Sequence, residues 1–267
     1  MTVAITDGVV ARVAIDVPRT RNALSTAVLE ELADAVCRVS RRDGTRAIVL
    51  TGEGATFSSG ADIKEAAPVA ETTAAVTRLY EAIAQSPPPL LARVHGHCLG
   101  LAVGVVAACD IAIAATDATF GLPEPRLGQA PTLAALTIVP RLRPVDASDL
   151  LLTGAMFDGA RAGELGLVNE SVPASDLDAA VRRWTDRVTA GGPDAIAACK
   201  RLVRGLRTAP PAEALTLATT LAVRLADGAE AKEGRAAFLE RRPPRWAAPV
   251  VAAAGPDGEQ EGARGSL

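Results

Sequence analysis

An α/β fold is what this sequence predicts, on three observations. Short apolar runs at 9–15, 47–51, 90–94, 111–115 and 167–172 have the length and branched-aliphatic content of buried strands. Longer stretches at 26–41 and 71–85 stand between them and read as helices. After Gly191-Gly192-Pro193 only helical patterns remain, at 194–203 and 212–226. Strands alternating with helices define the α/β class, and a helical region follows it.

Taken in order, the first fifteen residues read as two strands joined by a turn at Asp7-Gly8. Arg21-Asn22-Ala23-Leu24-Ser25 leads into the helix at 26–41, and the wholly apolar Ala47-Ile48-Val49-Leu50 follows. Immediately after comes Phe57-Ser58-Ser59-Gly60-Ala61-Asp62-Ile63-Lys64-Glu65. Small residues in such a loop let a ligand approach the main chain closely. Its N–H groups can be aimed at a carbonyl oxygen that gains negative charge during reaction, with no nucleophilic side chain required.

The segment 92–110 reads as a short strand, a glycine-punctuated turn and a buried helix. Gly100, Ala102 and Gly104 open the start of that helix to close contact. The first-turn N–H groups have no partner within the helix and, with the helix dipole, favour an anion. A third segment, 118–128, places a lone carboxylate, Glu124, between Pro123 and Pro125, which fix its backbone.

The 267 residues suffice for one large domain, or for one domain plus an appendage. With 49% hydrophobic but only 3% aromatic residues, Ala, Val and Leu must fill the core. A net charge of −3 offers no basic field for nucleic acid. No run is long and apolar enough to span a membrane, and the first residues lack a charged segment followed by an apolar one, so the expected location is cytoplasmic. Cys37, Cys98, Cys109 and Cys199 have neither CxxC nor metal-ligand spacing, and His95 and His97 are the only histidines. No metal site is expected. The cysteines read as small buried apolar residues in a reducing compartment, and His97 as a packed histidine. Gly191-Gly192 stop one helix and Pro193 suits the first turn of the next. The expected organisation is a core domain at 1–192, a helical region at 193–250, and a disordered tail at 251–267, rich in Gly, Glu and Ala.

The three segments, in this order and spacing, resemble the crotonase superfamily, which includes enoyl-CoA hydratases and isomerases. Arg21-Asn22-Ala23-Leu24-Ser25, Leu152-Thr153-Gly154, Ala162-Gly163-Glu164-Leu165-Gly166-Leu167-Val168 and Glu233-Gly234-Arg235-Ala236-Ala237-Phe238 resemble further motifs of that family. The resemblance covers most of the chain. It implies a spiral of ββα units whose C-terminal helices assemble a homotrimer or a dimer of trimers. It also implies an acyl-CoA thioester as substrate, with CoA part of the substrate and no separate cofactor.

By the same resemblance, the oxyanion-hole donors are the N–H groups of Ala61 and Leu101, flanked by Gly60 and Gly100, and the acid/base is Glu124. Asp62, Ile63 and Lys64 lie where the family wraps the adenine and phosphates of CoA. Phe238 and Arg241 match residues that reach the CoA of an adjacent subunit. Two departures stand out. Leu101 replaces a glycine, so its side chain must find room, and Gly104 occupies the position of the second catalytic glutamate of two-glutamate hydratases. Hydration of a 2-enoyl-CoA is the leading expectation. Isomerisation of a 3-enoyl-CoA by Glu124 alone, methylglutaconyl-CoA hydratase-like, decarboxylase or thioesterase chemistry, and an impaired CoA-binding subunit are the alternatives.

Overall fold

The computed structural model of the chain describes residues 2–207 and 209–247. The expected tail, 251–267, lies outside the described residues, as do the last three positions, 248–250, of the expected helical region. Nine strands are present among the described residues: β1 (Val3–Thr6), β2 (Val10–Ile15), β3 (Ala47–Gly52), β4 (Leu90–Val94), β5 (His97–Leu99), β6 (Ile111–Ala115), β7 (Thr119–Gly121), β8 (Met156–Asp158) and β9 (Glu170–Val172). The helices are α1 (Thr26–Ser40), α2 (Val69–Gln85), α3 (Leu101–Ala108), α4 (Thr132–Ile138), α5 (Pro144–Thr153), α6 (Gly159–Glu164), α7 (Leu177–Ala190), α8 (Pro193–Gly205), α9 (Pro211–Ala226) and α10 (Ala229–Leu239).

Six strands form one sheet in the order β1-β2-β3-β4-β6-β9, antiparallel at β1–β2 and parallel from there on. All six residues of β3 are buried, as a parallel strand covered on both faces requires. A second sheet, β5-β7-β8, stands beside it, with Phe120 of β7 stacked on Phe157 of β8. The chain therefore winds: β4, β5 and α3 form one turn of the spiral, and β6, β7 and α4 the next. Each turn delivers a strand to the large sheet, a short strand to the small one, and a helix, the two helices α3 and α4 packing on each other.

Helix α1 buries Val28, Leu29, Leu32, Val36 and Val39, a helical stripe that packs on α2 and β2. Ser25 caps it by accepting a hydrogen bond from the N–H of Val28 at 3.3 Å. The strand expected at 167–172 is shorter, Glu170–Val172. The N–H groups of Leu167 and Val168 instead donate to the carbonyl of Ala162, closing the end of α6.

The expected helical region begins at Pro193 with α8, and Glu230 of α10 caps its first turn by accepting from the N–H groups of Asp194 (2.8 Å) and Ala195 (2.9 Å). Helix α8 is fastened to the core by Lys200, buried and paired with Asp110 at 2.8 Å. Helices α9 and α10 rest on the core far less, burying only Leu221 and Ala237. Among the described residues, no helix is long and apolar enough to cross a membrane.

Candidate active site

The loop after β3 is held from two edges. On one, Ser58 pairs with Cys98 of β5: its N–H donates to the carbonyl of His97 (2.9 Å), and its carbonyl accepts from Leu99 (3.1 Å). On the other, Ser59 N–H donates to Arg21 (2.9 Å), Leu24 N–H to Gly60 (2.8 Å), and Asp62 N–H to Leu24 (3.2 Å). Leu24 thus bonds to the two neighbours of Ala61 and not to Ala61 itself. In an extended ladder this turns the N–H of Ala61 away from Leu24. That N–H donates to no acceptor among the described residues.

The second donor arises from the parallel run of the two segments. Three residues beyond the paired Ser58 and Cys98, the chain reaches Ala61 on one side and Leu101, the first residue of α3, on the other. Leu101 N–H precedes the first intrahelical bond and likewise has no acceptor among the described residues. Gly60 brings the segments together: with φ +90°, a Cβ there would stand 2.5 Å from the carbonyl oxygen of Leu99 and 3.6 Å from Gly100 Cα. Only glycine permits that approach. The Leu101 side chain is accommodated in the core, at 7% exposure.

Glu124 begins a 3-10 turn (Glu124–Leu127) that closes with Gly128 in the left-handed conformation. Its carbonyl accepts from Gln129 at 3.0 Å, so the backbone beneath the carboxylate is fixed. The carboxylate lies on Gly100: a Cβ there would be 2.6 Å from Oε1 and 3.3 Å from Cδ. Oε2 is buried without a hydrogen-bond partner among the described residues. Burial pushes the carboxyl pKa up from its usual value. The structure therefore brings Gly60, Ala61, Gly100, Leu101 and Glu124 into one place. Two unspent N–H donors and one desolvated carboxylate can stabilise an enolate oxygen and move a proton beside it.

Gly104 is closed. A Cβ at this position would meet the Tyr80 hydroxyl, Ala134 Cα at 2.7 Å and Ala134 Cβ at 3.0 Å, and the Gly104 carbonyl accepts from Thr137 Oγ1 at 2.8 Å. Helix α4 occupies the space that a second carboxylate would need.

Of the other residues expected at the site, Asp62 folds its carboxylate back onto the Lys64 N–H at 3.0 Å, while Ile63 (80% exposed) and Lys64 face solvent. Phe238 and Arg241 stand at the end of α10, Phe238 being 84% exposed. No hydrogen bond or ion pair among the described residues joins them to the loop or to Glu124.

Two readings of the sequence are corrected. His97 is exposed, not packed, because β5 is the edge of a small sheet and turns this residue outward. Cys98 and Cys109 are buried and Cys37 is half-buried, but Cys199, on α8, is exposed. Burial pushes the Cys109 thiol up to about 12, which keeps it inert. His95 belongs to the scaffold: its ring meets the Gly54 carbonyl and the Arg93 guanidinium, each at 2.9 Å, and burial lowers its pKa. Among the described residues, no group of three or more His, Cys, Asp or Glu side chains could hold a metal ion.

One residue that positions the site is not evident from the sequence pattern. Asn22, fully buried, accepts from Val17 N–H at 3.0 Å and donates to the carbonyls of Glu53 (2.9 Å) and Thr56 (2.7 Å). It ties the entry to α1 to the start of the donor loop. Its one signal in the sequence is its place in Arg21-Asn22-Ala23-Leu24-Ser25 at the entry to α1, and a buried asparagine has to be satisfied.

The family model described as enoyl-CoA hydratase/isomerase matches residues 6–249. The chain belongs to this family. Its enzymes act on acyl-CoA thioesters. The chain is 30% identical over 252 residues to a putative enoyl-CoA hydratase of Thermus thermophilus, covering 91% of this chain and 100% of the relative. It is 33% identical over 249 residues to the cyclohexa-1,5-dienecarbonyl-CoA hydratase of Thauera aromatica, covering 90% and 93%. Among solved structures, an enoyl-CoA hydratase of Mycobacterium smegmatis superposes with a TM-score of 0.87 at 29% identity, covering 92% of this chain and 99% of that one. The spiral of strands and helices described above is the crotonase fold.

Proposed function

We propose that this family member hydrates a 2-enoyl-CoA, with the N–H groups of Ala61 and Leu101 on the thioester oxygen and Glu124 as the proton carrier. The observation that carries the reading is the Glu124 carboxylate lying on Gly100, next to the Leu101 donor, with Oε2 unpartnered. As water oxygen bonds to Cβ, a water proton passes to the Glu124 carboxylate and the electron pair of the double bond moves toward the thioester oxygen. Glu124 then returns the proton to Cα, giving a 3-hydroxyacyl-CoA. One carboxylate suffices because it ends each cycle in its starting state. The raised pKa favours the first half of that exchange, since a desolvated carboxylate is a stronger base toward the water proton.

In this reading, backbone groups of Asp62 and Ile63 receive the adenine, and Lys64 meets a phosphate as a point charge. Phe238 and Arg241, exposed on α10, serve the site of an adjacent copy in a trimer. Gly104 favours a second reading. With α4 where a second carboxylate would stand, Glu124 alone could carry a proton between carbons, isomerising a 3-enoyl-CoA to the 2-enoyl-CoA. Incubating the protein with crotonyl-CoA and with 3-hexenoyl-CoA separates the two. Hydration of crotonyl-CoA sustains the first; turnover of 3-hexenoyl-CoA alone replaces it with the second.

A further inference from the structure

A cavity of about 760 Å³, which Glu124 does not line, lies between α2, the C-terminal end of α3, α4 and α8. Its size suits a small organic ligand. Much of its wall is aliphatic, with Ala84, Ala107, Leu133, Leu136 and Val203. Four cations also line it, Arg141, Lys200, Arg204 and Arg207, against the carboxylates of Glu81 and Asp110.

Asp110 is already committed, to Lys200 Nζ at 2.8 Å and Arg204 Nη2 at 3.1 Å. Glu81 is exposed at the rim. Arg141 is half-buried and has no carboxylate partner among the described residues. Its guanidinium donates through Nη2 alone, to the Cys109 carbonyl, leaving Nε and Nη1 unspent. Arg207 likewise donates through Nη2 alone, to the Pro140 carbonyl. Burial, with repulsion from Arg207 and Arg204, lowers the Arg141 pKa, and Asp110 offsets this only in part. A partly desolvated cation that makes no ion pair of its own is costly; its guanidinium fork fits a carboxylate or a phosphate, and the aliphatic wall beside it suits a head group that carries a hydrocarbon chain.

We propose that this cavity binds an aliphatic carboxylate, its head group on the free nitrogens of Arg141 and Arg207 and its chain along the wall of Leu133, Leu136 and Val203. Titration calorimetry of the full chain with sodium decanoate should show one saturable site. Acetate, which lacks the chain, and decanol, which lacks the charge, should each bind more weakly by about tenfold or more. Arg141→Met should weaken decanoate by a similar factor. Val203→Glu, at an exposed rim position, should do the same while leaving the Arg141 bond to Cys109 in place. Saturating CoA should leave decanoate binding unchanged. Decanol binding as tightly as decanoate, unaltered affinity in Val203→Glu, or displacement of decanoate by CoA would each overturn the proposal. So would failure to bind because copies of the chain close the groove on association, which light scattering would reveal.

Discussion

Gly100 and Gly104 lie four residues apart, one just before α3 and one within it, and the space each leaves empty is used differently. At Gly100 the missing side chain admits a carboxylate, that of Glu124. At Gly104 it admits a helix, through Ala134 of α4 and the Tyr80 hydroxyl. The first glycine makes room for chemistry and the second makes room for packing. A small residue near a site therefore has no meaning until its neighbour is known, and the neighbours of these two arrive from about twenty to thirty residues away along the chain, on either side.

The largest effect should come from the occupant of the first space. Glu124→Gln keeps the shape and removes the base, and turnover should fall by roughly two to four powers of ten with CoA affinity nearly unchanged. Steady-state kinetics beside a CoA titration would check this; a variant as active as the parent removes Glu124 from the mechanism. Next comes Gly100→Ala. A Cβ in contact with Oε1, on a backbone at φ +52°, must displace the carboxylate, and a shift of about 1 Å should cost roughly a hundredfold in kcat/KM. If activity survives that substitution, the contact does not position the base.

Gly104→Glu sharpens the comparison from the other side. The sequence suggests that it would restore a two-glutamate hydratase, whereas the structure puts the Ala134 backbone in the way. The variant should lose about 1 to 3 kcal/mol of stability and gain no hydration activity. Thermal denaturation and a crotonyl-CoA assay measure both. A stable variant with faster hydration would mean that α4 yields.

The smallest effect concerns Glu124 in the resting protein. Its folded pKa lies above the usual 4.5, so the folded state binds more protons than the unfolded one between those two values. Ionising Glu124 therefore costs stability, a cost present above the folded pKa and relieved as pH falls through it. Glu124→Gln should raise stability at neutral pH by about 1 kcal/mol, and the acid limb of kcat/KM should lie above 4.5. An acid limb at or below 4.5 would contradict the desolvation.

The parts of this site that could be read from the sequence are those set by local chemistry. Strand runs such as Leu90–Val94, the glycine that brings two backbones together at position 60, and a carboxylate held between Pro123 and Pro125 carry their constraint within a few residues. The closure of Gly104 does not, because Ala134 and Tyr80 reach it from α4 and α2. The role of Asn22 depends on carbonyls at positions 53 and 56. Cys199 is chemically like Cys109, and only the face of α8 on which it falls decides that it is exposed.

All eight residues of α3 are buried, none of them is polar, and the first of them carries the Leu101 donor. The helix has no face that belongs to the core and another that belongs to the site. Divergence of chemistry in this chain is therefore channelled: a change within α3 is tested by folding before it can be tested by catalysis. New substrates are more readily reached through α2 and α4, which border α3, and through Glu124–Leu127 beside Gly100, all of which keep a solvent side on which sequence can drift.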